Sequence, residues 1–440
     1  MAKNPRAIYG LLAAAAAVLS GLSYGMALNP VCLFWTGIQA LTGMVFIGLF
    51  AGICAAAAVS ASVRQALYMG FNSLRVLVTW FQSPIKTTPK ETRSRWAILA
   101  GLRFVMAMVV VLAHLSYCWA SNDCPYIIEV AHRWAFTAVI GFFLISGYSI
   151  AASASKEQEG FALRRFWRIA PVYFACFVLS LVPYAWNRAG INLPSHFVET
   201  PSLLQAFLNA ICLQSVILPA ISAFAPSWSL NPEMTYYCFA LRLLKLDTRV
   251  MFGIWAFSLG LYVYSTIAGT YFHTQWFATA VYLAWAWLGG FIYHQARTRI
   301  AAVLLWIPAV VLYWYSPAYG NTVFAPLIPL IAITCTTRLL VPEQWVARLN
   351  YLGDLSYPLY LCHFAVMLLM WSVFGWATWW FGLINIAAAI GTAELIYQHI
   401  DKPLRPRGRQ ALNRVLNEGV GVSCSIDSRV VVGRVPTDSV

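Results

Sequence analysis

Apolar runs of membrane-spanning length recur along the chain, separated by short polar stretches rich in Arg and Lys. About 20 predominantly apolar residues are needed to cross a bilayer as a helix. On that measure the runs predict twelve helices, near 8–28, 33–62, 97–117, 135–155, 169–187, 227–244, 250–268, 276–294, 301–316, 322–340, 355–375 and 378–399. A thirteenth stretch, 203–218, is short and bounded by Pro201 and Pro219. It reads as re-entrant or interfacial rather than spanning. The first run follows Lys3 and Arg6 as a signal peptide's apolar segment would. It exceeds the usual 7–15 residues of such a segment, and another apolar stretch follows at once, so a retained helix is expected.

The expected fold class is therefore all-α, a polytopic membrane helix bundle. Residues 1–95 read as an N-terminal extension of two transmembrane helices and a basic linker. Residues 96–405 hold a ten-helix membrane domain, and 406–440 form a polar tail. Composition agrees, with 60% hydrophobic and only 10% charged residues, against roughly 25% charged in soluble domains. A water-soluble domain of this size could not hide so much apolar surface.

The net charge of +14 raises the question of nucleic acid. Its distribution points elsewhere. Threading the helices in alternation puts Arg64, Arg75, Lys86, Lys90, Arg93, Arg95, Arg164, Arg165 and Arg168 on one side. Arg242, Lys245, Arg249, Arg297, Arg299, Arg338, Arg348 and the tail from Lys402 join them, while Arg133 and Arg188 fall opposite. That is the positive-inside pattern, so both termini are expected on the cytoplasmic side. No basic stripe with interleaved aromatics occurs in a soluble segment, which argues against nucleic acid as a partner. The abundant Trp and Tyr suit interfacial belts first and sugar-facing pockets second. No paired-cysteine or His-rich spacing suggests a metal site. Cys118 and Cys124 lie close enough in sequence to pair in an oxidising compartment.

An ionisable group inside a spanning helix costs several kcal/mol on most scales, which makes it a functional candidate. Arg103 and His114 lie eleven residues apart on one predicted helix. At about 100° and 1.5 Å per residue they share a face and stand about 16 Å apart along the axis. The less favoured alternative is that Arg103 snorkels to lipid phosphates while His114 caps the outer interface. The next helix ends in Phe142-Phe143-Leu144-Ile145-Ser146-Gly147-Tyr148. Ser-Gly there permits close approach of a neighbour, or leaves room for a thin ligand.

Arg165 and Arg168 are spaced i, i+3 at a predicted helix start closed by Pro171, so they share a face. Guanidinium forks grip phosphates bidentately, and such a pair also sets topology. Trp228-Ser229-Leu230-Asn231-Pro232-Glu233 opens another helix, with Ser229 as a candidate N-cap and Pro232 in the first turn. The helix dipole alone accounts for an acid at Glu233. Ser356, Tyr360 and His363 fall at i, i+4 and i+7, a polar stripe that implies contact with the bundle interior, with a satisfied packing histidine as the alternative for His363.

Together these phrases resemble the acyltransferase-3 family of integral-membrane O-acyltransferases. The resemblance rests on Arg103 with His114, on Phe142 to Tyr148, and on Arg165 and Arg168 followed by Pro171 and Tyr173. Trp228 to Glu233, the run Ser356, Tyr357, Tyr360, Leu361 and His363, and Asp401-Lys402-Pro403 complete it. It covers 96–405 and leaves both extensions unexplained, and a stand-alone form without the C-terminal esterase-like domain of some members is expected.

The resemblance implies transfer of an acyl group, often acetyl, from cytoplasmic acyl-CoA to a glycan hydroxyl in a bacterial inner membrane. On that resemblance acyl-CoA would be the donor substrate, and no bound cofactor is expected. The acceptor would be a glycan or lipid-linked glycan, met among membrane lipids. A sugar hydroxyl needs a base, and histidine is poised near neutral pH, which makes His114 the expected general base. An acyl-histidine relay is the variant of that role. Arg103, Arg165 and Arg168 would hold the donor. Glu233 and His363 are the further catalytic candidates, and Ser146, Trp228, Ser229, Ser356 and Tyr360 the substrate-contacting or orienting ones. A transporter or flippase for envelope glycans would use a similar cavity, but no matched pair of broken half-helices marks inverted repeats. A purely structural subunit would leave the intramembrane Arg and His without a purpose.

Overall fold

The structure is a computed structural model that describes residues 83–405, apart from 120–122, 215–217, 268–275, 315–330, 332, 336–337 and 376–377. The expected helices 8–28 and 33–62 and the tail 406–440 lie outside the described residues, as does most of 322–340.

The described residues are almost wholly helical. Helix α1 (Pro89–Leu115) opens on a capping box: Thr88 Oγ1 accepts from the Glu91 amide, and the Glu91 carboxylate accepts from the Thr88 amide at 2.6 Å. With Pro89 in the first turn, this starts the helix eight residues before the apolar run at 97. Helix α2 is Tyr126–Lys156 and α3 is Phe161–Leu181. The latter also starts eight residues ahead of the expected 169 and continues through Pro171. Gly160 supplies the left-handed turn before it, with φ of 62°.

A short helix α4 (Pro183–Trp186) leads into an element the all-α expectation missed. It is an antiparallel hairpin, β1 (Ile191–Leu193) against β2 (His196–Val198), with Ile191 opposite Val198. The stretch expected to be re-entrant or interfacial forms a helix of eight residues, α5 (Leu203–Ala210), followed by irregular chain. Leu203, Leu204 and Phe207 are exposed on it, while Leu208 and Asn209 are buried.

A tight helical turn at Ser222–Ser229 precedes α6 (Leu230–Leu243). Then come α7 (Thr248–Ile267), α8 (Trp276–Ala296), α9 (Arg299–Trp314), α10 (Glu343–Phe374) and α11 (Trp379–Ile396). The chain then passes into a wide helical turn at Tyr397–Asp401. Among the described residues, five helical segments are long and apolar enough to cross a membrane. They are Pro89–Cys118, Trp134–Lys156, Phe161–Ala185, Glu343–Phe374 and Trp380–Arg405.

Helices α1 and α10 run side by side in the same direction, with Gly101 against Leu349 and His114 against His363. Helix α2 runs opposite to α1, and α8 runs with α2. The α2–α8 crossing is very close. A Cβ on Gly147 would lie 1.8 Å from the Trp287 carbonyl oxygen, and one on Gly290 2.1 Å from that of Leu144. Close helix approach is seen at Gly147, where α8 backbone fills the space, while Ser146 beside it faces a cavity.

Helix alternation gathers Arg93, Lys156, Arg164, Arg297 and Arg405 at one end, the basic end. There Arg405 bonds Asp354 at 2.7 Å and the buried Asp401 at 2.5 Å, which clasps the chain after α11 to α10. The Asp401-Lys402-Pro403 phrase thus builds a fastening. At the opposite end the hairpin is tied down, since Trp371 Nε1 donates to the Asn192 carbonyl at 3.0 Å.

Candidate active site

A cavity of about 800 Å³ opens among α1, α2, α3, α6, α8 and α10. Five cations in its wall come from helix segments that also cross the apolar interior or end at the basic face. Arg103, Arg165 and Arg168 are the anticipated ones, and Arg95 and Arg297 join them. Lys156 adds a further positive charge, against which stands one carboxylate in the wall, Glu233. So uneven a balance in a part-apolar cavity favours a polyanion.

Arg103 is fixed by α2: its Nη2 donates to Ser149 Oγ at 2.6 Å, and Ser149 donates onward to the Ile145 carbonyl at 2.7 Å. Arg165 lies over the Phe161 ring at 5.4 Å, and its Nε is buried without a hydrogen-bond partner. Arg164, the first of the basic run, turns away and donates to the carbonyls of Glu157 and Glu159. It stitches the loop before α3 rather than serving the cavity.

Glu233 stands in the first turn of α6, where the dipole favours an acid. Its carboxylate also accepts from Ser146 of α2 and, at 2.5 Å, from Tyr237 one turn along α6. It therefore belongs to the cation-lined cavity and not to the surroundings of His114. Ser229 does not cap α6 through its side chain. Its hydroxyl donates to the Pro226 carbonyl, so Tyr360 must donate to Ser229, at 2.8 Å. Ser356 lines the cavity but gives its proton to the Gly353 carbonyl at 2.6 Å. Trp228 is part-buried against the core and does not line the cavity.

The two histidines stand beyond the lining, on the far side of Tyr360. The Tyr360 and His363 rings are 6.3 Å apart, and His363 meets His114 edge-on at 4.9 Å. Their partners set the tautomers. His114 Nδ1 lies 2.8 Å from the Val110 carbonyl and His363 Nδ1 lies 3.1 Å from that of Leu359. A carbonyl only accepts, so both Nδ1 atoms carry the proton. His363 Nε2, 3.2 Å from His114 Nδ1, then accepts from it. His114 Nε2 keeps its lone pair.

Arg103 and His114 thus share a helix face, but of the two Arg103 alone lines the cavity. Beyond His114 lies a group that sequence reasoning missed. Tyr117 stacks on His196 of β2 at 4.9 Å and meets His132 of α2 at 5.9 Å. Ser116 bonds His132 at 3.0 Å. Tyr237 was also missed, although its spacing of four from Glu233 was a usable signal. Cys118 and Cys124 are both free thiols. No group of three His, Cys, Asp or Glu suited to a metal occurs among the described residues.

Comparison with known proteins adds the family. The acyltransferase domain of the acyltransferase-3 family matches residues 96–397. A Staphylococcus aureus (strain COL) protein provisionally named an O-acetyltransferase is 26% identical over 377 residues, covering 72% of this chain and 58% of the relative. The peptidoglycan O-acetyltransferase OatA of Listeria monocytogenes is 23% identical over 378 residues, covering 74% of this chain and 58% of the relative. The match thus spans less than two thirds of the length of either relative. No solved structure matches.

Proposed function

This chain belongs to the acyltransferase-3 family, and on that premise we propose that it moves an acyl group, acetyl first among them, from acyl-CoA to a hydroxyl of an envelope or exported glycan. One observation carries this reading. A cation-lined cavity reaches Tyr360, His363 stands behind Tyr360, and His114 lies against His363 with its Nε2 lone pair free. The peptidoglycan acceptor in the name of the Listeria relative supports a cell-envelope glycan as the acceptor class. Acyl-CoA is a cytoplasmic metabolite, so the basic end faces the cytoplasm of a bacterial inner membrane and both termini lie on that side. A ten-helix core preceded by two further helices completes the proposed topology.

In the proposed reaction Arg103, Arg165 and Arg168 hold the donor phosphates, and the acyl end passes Tyr360. His114 Nε2 takes the proton of the acceptor hydroxyl as its oxygen attacks the thioester carbonyl carbon. The carbon–sulfur bond then breaks, and the imidazolium returns the proton to the leaving thiolate. His363 acts through His114: accepting the Nδ1 proton fixes the ring and supports the positive charge that forms on it. Glu233, held by Ser146 and Tyr237, balances the arginines and orients the donor.

Each guanidinium–phosphate bond is worth about 1.5–3 kcal/mol. Replacing both Arg165 and Arg168 by Ala should therefore weaken acyl-CoA binding by about 100-fold or more. Arg→Lys at either position should recover only part of the loss, because the planar fork is gone. Titration calorimetry on purified protein measures this directly. Unchanged affinity in the double variant returns these arginines to a topology signal.

A further inference from the structure

The donor-binding scheme above leaves part of the cavity wall unused. Near the basic end, Arg95 is 7% exposed, yet it has no carboxylate within ion-pair distance among the described residues. Its Nη1 donates to the Tyr148 hydroxyl at 3.2 Å, while Nε and Nη2 are buried without a partner. Glu91, one turn earlier, is committed to the Thr88 cap and to Arg338 at 3.8 Å. A buried guanidinium left with two unmatched donors is costly, and a native structure keeps one for a reason.

His294 stands beside it, its ring edge-on to Tyr148 at 5.3 Å. Its Nε2 lies 3.0 Å from Arg297 Nη2 and must accept from it, since arginine only donates. The His294 proton is then on Nδ1, and Nδ1 is also buried without a partner. Three unmatched N–H groups therefore meet around Tyr148, on residues that line the cavity.

Arg297 is placed there by an unusual backbone. It follows α8 with φ of 46°, a left-handed position that glycine ordinarily fills at a helix end. A bulky residue held there against its preference points to a task for its side chain. Its amide donates to the Tyr293 carbonyl at 2.8 Å, and its carbonyl accepts from Ile85 at 2.7 Å. The curl lays the guanidinium over His294.

Resting on the acyl-CoA reading, we infer that Arg95 and Arg297 form a second anion subsite, which takes the ribose phosphate of coenzyme A while Arg103, Arg165 and Arg168 take its pyrophosphate. Unmatched donors call for an oxyanion with several acceptors, and a phosphate monoester supplies three. Arg95 precedes Arg103 by eight residues on α1, about 12 Å toward the basic end at 1.5 Å per residue. Two clusters at different depths fit a donor with two separated anionic groups, and not a ligand with a single phosphate. A phosphate at the wall takes these donors by rotation of the Arg95 side chain.

Paired calorimetric titrations with CoA and dephospho-CoA test the subsite, because the two ligands differ only in the ribose phosphate. Wild-type protein should bind CoA at least about tenfold more tightly, the scale of one charge-assisted hydrogen bond. Arg95→Met and Arg297→Met should bring CoA affinity to the dephospho-CoA level and leave dephospho-CoA binding unchanged. Arg297 has an exposed side chain, so its variant tests the idea even where Arg95→Met misfolds. Equal wild-type affinity for the two ligands overturns the subsite, as does equal weakening of both by Arg297→Met. Wild-type protein that binds neither ligand overturns the donor reading itself.

Discussion

His114→Gln is expected to lose about 10²–10⁴-fold in acyl-transfer rate, the usual contribution of a positioned general base. That is roughly 3–5 kcal/mol of barrier at 1.36 kcal/mol per decade. The amide of glutamine can still donate to the Val110 carbonyl, so membrane insertion and thermal stability should stay close to wild type. It cannot take a proton. Arg103→Ala should instead act on donor binding, because Arg103 bonds Ser149 in the cavity wall and lies about 16 Å from His114 along α1. Single-turnover rates at saturating and sub-saturating acetyl-CoA separate the two effects. Near-normal turnover by His114→Gln would move the search for the base to His363.

The largest loss of stability is expected from Gly147→Val. Its Cβ would sit 1.8 Å from the Trp287 carbonyl oxygen, and backbone on the facing helix cannot rotate aside as a side chain can. Overpacking against movable side chains costs about 1–3 kcal/mol, so parting two whole helices should cost at least the upper end of that range. Helix α8 would shift relative to α2, carrying His294 and Arg297 away from Arg95. Gly253→Ala is the control, since no atom lies within 4 Å of the new Cβ. It should gain up to about 1 kcal/mol from helix propensity alone. Melting temperatures in detergent and the monodisperse fraction on size exclusion report both. A Gly147→Val protein as heat-stable as wild type would show that the α2–α8 contact is looser than described.

Apolar runs located the described helices because burial in lipid or core demands them, but they did not find the helix ends. Helices α1 and α10 begin at Pro89 and Glu343, well before the runs at 97 and 355. The added turns are polar and carry the Thr88–Glu91 capping box, the Arg93–Glu343 pair at 2.6 Å and the Asp354–Arg405 clasp. The capping box was readable as Thr-x-x-Glu. The ion pairs were not, because they join residues distant in sequence. The hairpin at 191–198 escaped because three-residue strands carry too few positions to show a period of two.

Arg103, Ser146, Arg165, Arg168, Ser229, Glu233, Ser356 and Tyr360 were legible as polar exceptions on apolar helices, and all line the cavity. Arg95, Lys156 and Arg297 were not, since at a helix end a cation reads as topology. Spacing alone put Arg103 and His114 on one face. That Arg103 lines the cavity while His114 meets His363 outside the lining is a tertiary fact that no local pattern holds.

Sided transfer in proteoliposomes tests the central claim most directly. Labelled acetyl-CoA is supplied only on the side of the basic end, and a glycan acceptor only on the other. Label should appear in ester linkage on the acceptor with one CoA thiol released per group moved, and His114→Gln should abolish both. Acceptor carried across the bilayer with no label and no CoA release would contradict the account and make the protein a glycan transporter.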